Sequence, residues 1–194
     1  MKKSLGTQGL LFPNPVLVVG TYDKHGEPNA ITLAWGGVAS SGPEAISIAV
    51  RPSRYSFEAI LRAGAFTVNL PSIEQAAAAD FFGISSGRQT RKFEVTGLTP
   101  VRGEFVDAPY IAEFPYNIEC RLVGSLDLGA HTLFVGEVKD VKASEDLLDA
   151  HGALDWEKAA IITFDSAQRV YRAPGQEVGK AFSIGRRFIA ADGA

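Results

Sequence analysis

Residues 20–35 read GTYDKHGEPNAITLAW, and residues 51–56 read RPSRYS. Just before and within the first stretch, the apolar run Val16-Leu17-Val18-Val19 meets turn chemistry at Asp23, Gly26 and Pro28, and a second strand begins near Asn29. In the second, the extended run Ala45 to Val50 ends at Arg51-Pro52, which puts Ser53 where a helix N-cap is expected. A helix start offers free N–H groups. With the hydroxyls of Ser53 and Ser56 and the guanidinium groups of Arg51 and Arg54 beside it, the segment reads as an anion pocket suited to a phosphate-bearing ligand.

Outward from these two turns the pattern is mostly strand. Runs rich in β-branched and aromatic residues, bounded by Gly, Pro or Asp, predict strands at Val16–Tyr22, Ala30–Trp35, Ala45–Val50, Ala65–Leu70, Tyr116–Leu126, Thr132–Val141 and Ala159–Phe164. In Tyr116–Leu126 the residues Ile118, Cys120 and Leu122 share one face, Glu119 and Arg121 the other, and the Gly-containing segment Asp127–Ala130 turns the chain into a central hairpin. Helices are predicted at Ser53–Arg62, at Ser72–Phe82, which opens with Ser72 and Gln75 at capping-box spacing, and more weakly at Ser144–Ala150. Few helices and many hairpin turns favour a mainly β architecture, an antiparallel Greek-key-like barrel with helical excursions, over a doubly wound parallel sheet. No GxGxxG follows a strand and no GxxxxGK[ST] is present, so a nucleotide-like ligand must be held in another way.

Size and composition bound the classes. A chain of 194 residues with 46% hydrophobic and 21% charged residues suits a single domain, 1–194, that buries a substantial core without disulfides or metals. The longest apolar runs fall short of the roughly 20 residues of a membrane span, and the N-terminal MKKSLGTQGLLFPNP, interrupted by Pro13, does not read as a signal peptide. A cytoplasmic protein is expected. The formal charge of −3, with its basic residues scattered, disfavours a nucleic-acid surface. One cysteine, Cys120, excludes an internal disulfide, and His25, His131 and His151 form no close ligand pair, so no metal is expected. Loop 82–100 carries Gly83, Ser85, Ser86, Gly87 and Gly97 together with Arg88, Arg91 and Lys92, and is a candidate ligand-covering loop or simply a solvated one. Asp80, on an Ala-rich helix, is expected to face solvent.

The segments NPVLVVGTYD, NAITLAW, RPSRYSFEAI, FTVNLP, SSGRQTRKF, DAPYIAEFPYNIECRL, HTLFVGEV and YRAPGQEVGKAFSIGR are individually weak but specific in order and spacing. Across nearly the whole chain they resemble the flavoredoxin-type branch of the flavin reductase-like family, whose fold is the FMN-binding split barrel. The resemblance implies a homodimer that holds non-covalent FMN in a cleft near the subunit interface. It implies that Asn29, Ala30, Thr32 and Trp35 line the flavin, that Arg51, Ser53, Arg54 and Ser56 take the 5′-phosphate, and that Ser86 and Lys92 reach the cofactor from the polar loop. His131, at the start of the hairpin's second strand, is the candidate catalytic residue: a protonated or hydrogen-bonding imidazole beside the ring would stabilise charge on reduced flavin. Relatives often carry Asp before the Lys-Phe pair where this chain has Arg91, and Trp35 is typical of the flavoredoxin-type branch.

The implied activity is an oxidoreductase that takes hydride from NADH or NADPH onto FMN and passes electrons to free flavin or another acceptor. No Ser/His/Asp or paired-carboxylate signature is needed for that chemistry, since the cofactor carries it. The alternative is a flavoredoxin-like electron-transfer module reduced by a redox partner protein, without nicotinamide activity of its own. A pyridoxal-phosphate oxidase or haem-utilising relative on the same barrel is a third reading.

Overall fold

A single carboxylate closes the first long turn. Asp23 Oδ1 accepts the backbone N–H of His25 at 2.8 Å and of Glu27 at 2.9 Å, while Gly26 supplies φ +82°. The chain therefore folds back on itself, with Thr21 opposite Asn29 and Gly20 opposite Ala30. The computed structural model describes residues 1–9 and 11–189. Its strands are β1 (Asn14–Pro15), β2 (Leu17–Tyr22), β3 (Pro28–Leu33), β4 (Gly36–Ser41), β5 (Glu44–Val50), β6 (Ala65–Leu70), β7 (Pro100–Arg102), β8 (Pro109–Ile111), β9 (Tyr116–Asp127), β10 (Thr132–Ala143), β11 (Thr163–Asp165) and β12 (Val170–Arg172). Its α-helices are α1 (Tyr55–Ala63), α2 (Ala76–Ile84), α3 (Lys92–Thr96) and α4 (Trp156–Ala159).

Seven strands form one antiparallel ladder in the order β3-β2-β6-β9-β10-β5-β4, so the architecture is the mainly β split barrel that the sequence suggests. The continuous apolar run at the start of β2 has a simple cause: both of its faces are covered. Leu17 and Val19 point into the barrel with Ile31, Ile48, Val50, Phe66 and Phe134, while Val16, Val18 and Ala30 pack outward against Ala79, Phe82, Phe93 and Ile111. The outer layer of α2 and α3 is thus fixed by the second face of the same two strands. Cys120 lies fully buried in the inner cluster, where burial pushes its thiol up to about 12 and leaves it a small apolar group.

Several local expectations are corrected. The first helix begins at Tyr55 with Arg54 as N-cap, not at Ser53. The second starts at Ala76, because Gln75 Oε1 accepts from both the Ser72 N–H and its hydroxyl and so closes a turn ahead of the helix. Ser144–Ala150 holds only a short 3-10 turn at Glu145–Leu147. The strand expected at Ala159–Phe164 is shorter and later: Asp155 caps α4 by accepting the N–H groups of Glu157 and Lys158, and strand geometry resumes at Thr163. Asp80 is half-buried, its carboxylate accepting the Tyr171 hydroxyl at 2.9 Å and tying β12 to α2. No helix among the described residues is long and apolar enough to cross a membrane.

Candidate functional site

The ends of β3 and β5, the start of α1 and residues 85–92 converge on one groove with two chemically different halves. The first half, a cleft of about 290 Å³, is lined by residues 31–35, Ala49, Arg51, Arg54 and His131. The second, about 90 Å³, is lined by Asn29, Ile31, Ser53–Ser56, Ser85–Arg88 and Lys92. Ile31 and Arg54 border both halves, so the two are continuous.

The polar half is built from groups that want an anion. Ser56 is buried and its hydroxyl accepts the Asn29 Nδ2–H at 2.9 Å, which fixes both side chains. The first turn of α1 has no side-chain cap, and its opening residues Tyr55 and Ser56 line the pocket beside Ser53. Lys92, only 3% exposed, donates to the carbonyls of Ala30 at 2.7 Å and Phe82 at 2.8 Å. Neither acceptor is charged. Burial first, and the nearby Arg54 guanidinium second, pull the Lys92 ammonium down to about 8. Among the described residues no carboxylate pairs with Lys92, Arg51 or Arg54, and the Arg54 guanidinium has no hydrogen-bond partner. A dry cation without a counter-ion is costly, and a bound anion would offset that cost.

The other half is aromatic. Trp35 is 47% exposed and its ring lies 4.6 Å, centroid to centroid, from that of His131, tilted by 53°. His131 sits just before β10, positioned by the turn in which the Leu128 N–H donates to the His131 carbonyl at 2.9 Å. Arg51 Nε donates to His131 Nε2 at 3.3 Å, so Nε2 carries the lone pair and Nδ1 the proton. Burial, then Arg51 and Arg54, lower the imidazole below the ordinary histidine value. Of the two forms expected for His131, the contact with Arg51 disfavours the protonated one.

Ten of the eleven expected site residues therefore meet around the groove, with a different division of labour. Arg51 stands in the aromatic half beside His131 and is parted from Ser53 and Ser56, while Arg54 reaches both halves. Thr32 borders the cleft, but its hydroxyl donates to the Ala79 carbonyl. Ala30 is fully buried in the outer core and lines neither half; its carbonyl positions Lys92 instead. The sequence reading missed Ile31, Leu33, Ala34, Ala49 and Tyr55 as lining residues. Ala49 stands two positions before Arg51, a neighbour that strand alternation would have supplied.

Comparison with known proteins agrees with this fold. Residues 9–159 match the family described as the flavin reductase like domain. Flavoredoxin of Desulfovibrio vulgaris (Miyazaki F) superposes with a TM-score of 0.91 at 43% identity, covering 95% of this chain and 100% of that one. Flavoredoxin from Methanosarcina acetivorans gives a TM-score of 0.90 at 28% identity over 96% of this chain and 99% of that one. An uncharacterized protein of Archaeoglobus fulgidus is 35% identical over 72% of this chain and 77% of its own length. Carrying that family's barrel and matching its domain along most of its length, the chain belongs to the flavin reductase-like family.

Proposed function

We propose that this chain is an FMN-binding flavoprotein oxidoreductase that draws electrons from NADH or NADPH and delivers them to free flavin or another acceptor. The observation that carries the reading is the groove itself: uncompensated cations and hydroxyls at one end, an aromatic-lined cleft at the other. The donor set fits the cofactor. Ser53, Ser56, Ser86, Arg54 and Lys92 would hold a phosphate, while Asn29 would act through Ser56. Ile31, Leu33, Ala49 and Trp35 would give the ring an apolar bed and exclude water. Bound FMN supplies hydride acceptance and release, chemistry that no side chain of this groove provides. His131, oriented by Arg51, keeps its Nδ1 proton available as a neutral hydrogen-bond donor at the ring end.

The chain is proposed to work as a single domain in a homodimer, because Trp35, Val38, Leu126 and Leu128 leave large apolar surfaces exposed near the cleft and at the tip of the β9–β10 hairpin. A second reading, a flavoredoxin-like carrier reduced by a partner protein, is favoured by the 43% identity to a flavoredoxin. Anaerobic mixing separates the two. Prompt bleaching of the flavin absorbance by NADH or NADPH supports the reductase, whereas bleaching only by dithionite or a protein partner supports the carrier. A protein whose absorbance and melting temperature ignore added FMN would refute both.

A further inference from the structure

Behind the polar end of the groove lies a separate cavity of about 390 Å³, which shares Asn29, Tyr55, Gly87 and Arg88 with it. Those shared residues form a wall. A Cβ at Gly87 would lie 2.4 Å from Asn29 Oδ1 and 2.5 Å from Tyr55 Cδ1, so the backbone at Gly87 presses directly on both side chains. The segment is tied down at two points. Toward the start of α1, Arg88 donates to the Ser53 carbonyl at 3.0 Å, with its guanidinium 5.7 Å from the centre of the Tyr55 ring. Toward the β2–β3 turn, Arg91 pairs with Glu27 at 2.6 Å. Tyr55 is itself held, its hydroxyl donating to Asp23 Oδ2 at 2.8 Å.

We infer that residues 85–91 are a strap that ends the cofactor groove behind a terminal phosphate, making the chain selective for FMN over FAD, with Arg88 and Arg91 as its positioning residues. The inference rests on the FMN reading above. FAD carries a second phosphate and an adenosine where FMN ends. To admit them into the rear cavity, Gly87 must lift from Asn29 and Tyr55, which breaks the contacts of Arg88 and Arg91. A mononucleotide needs no such opening. The strap also opposes release, because the phosphate lies under residues it holds.

Flavin titrations of the full chain test this, reading Kd for FMN, FAD and riboflavin and the release rate of FMN. The wild type is expected to bind FMN more tightly than FAD. Arg91→Ala and Glu27→Ala should each narrow the FMN-to-FAD ratio and speed FMN release about threefold, modestly because both side chains are more than half exposed. Arg88→Ala with Arg91→Ala should narrow the ratio further. Glu27→Ala is the discriminating arm: if Arg91 acted only as a positive charge near the phosphate, removing Glu27 would strengthen FMN binding, opposite to Arg91→Ala. Opposite shifts, or equal FMN and FAD affinity in the wild type, would overturn the strap while leaving the cofactor reading intact. Absence of binding by either flavin would overturn both.

Discussion

Two lysines on the same barrel have opposite surroundings. Lys92, at the polar end of the groove, touches only neutral carbonyls, and its ammonium is pulled down to about 8. Lys142, on β10, bonds Asp140 and lies 2.8 Å from Glu119 Oε1. Burial alone would lower Lys142, but those two carboxylates raise it above the ordinary lysine value. Glu119, fully buried, also accepts the N–H groups of Glu104, Phe105 and Val106, and Lys142 with these N–H groups holds its carboxyl below the usual range despite burial. One region closes its charge balance internally. The other leaves it open, and an open balance in a dry pocket is what an anionic ligand completes.

That contrast can be broken at the closed end first. Glu119→Ala should leave the Lys142 ammonium with Asp140 and the more distant, exposed Glu104, and strand three N–H groups of the 103–106 loop, costing about 3 kcal/mol of stability in chemical denaturation. The FMN affinity of the variant that remains folded should match wild type. A denaturation midpoint within error of wild type would show that the network is not structural.

At the open end the effect moves from stability to binding. Lys92→Met should weaken FMN by about 2 kcal/mol, roughly thirtyfold in Kd, while riboflavin, which has no phosphate, changes little. Fluorescence quenching by each flavin gives both constants. Equal losses for FMN and riboflavin would remove Lys92 from the phosphate end.

How much of this contrast was legible beforehand depends on whether it was local. The turn at Asp23–Pro28 and the central hairpin declare themselves because Gly, Pro and Asx chemistry act over a few residues. β4, GGVASS, does not: its Gly and Ser content reads as loop, and it is a strand because β5 offers it a partner ladder, Gly36 opposite Ile48 through Ser41 opposite Glu44. The groove shows the same division. Ser53, Arg54 and Ser56 share a helix start, so their convergence could be read from spacing. The partnering of Arg51 with His131 spans 80 positions, and the isolation of Lys92 is a statement about carboxylates that are not nearby. Neither leaves a mark in the sequence. Ala30 illustrates the converse, a residue in the right motif whose side chain the strand's alternation turns into the outer core.

The lowered Lys92 also sets opposite pH signs for the empty and the loaded protein. In the unfolded chain this side chain titrates near the ordinary lysine value of 10.5, and in the folded one near 8, so between those values the unfolded state binds more protons. Through this group the ligand-free protein should therefore gain stability as pH rises from 8 toward 10.5, by at most about 1.4 kcal/mol per pH unit. Phosphate needs the charged ammonium, so FMN binding runs the other way: once the phosphate is a dianion, above about pH 7, Kd should be flat up to about pH 8 and climb beyond it, by no more than about tenfold per pH unit. Riboflavin titrations over the same range subtract flavin-ring and global effects, and Lys92→Met should flatten the FMN profile. An FMN-specific loss of affinity above pH 8 that persists in Lys92→Met would assign the titration to another group. A profile flat in both proteins would mean that the phosphate is gripped by the hydroxyls and Arg54 alone, making Lys92 a tie between Ala30 and Phe82.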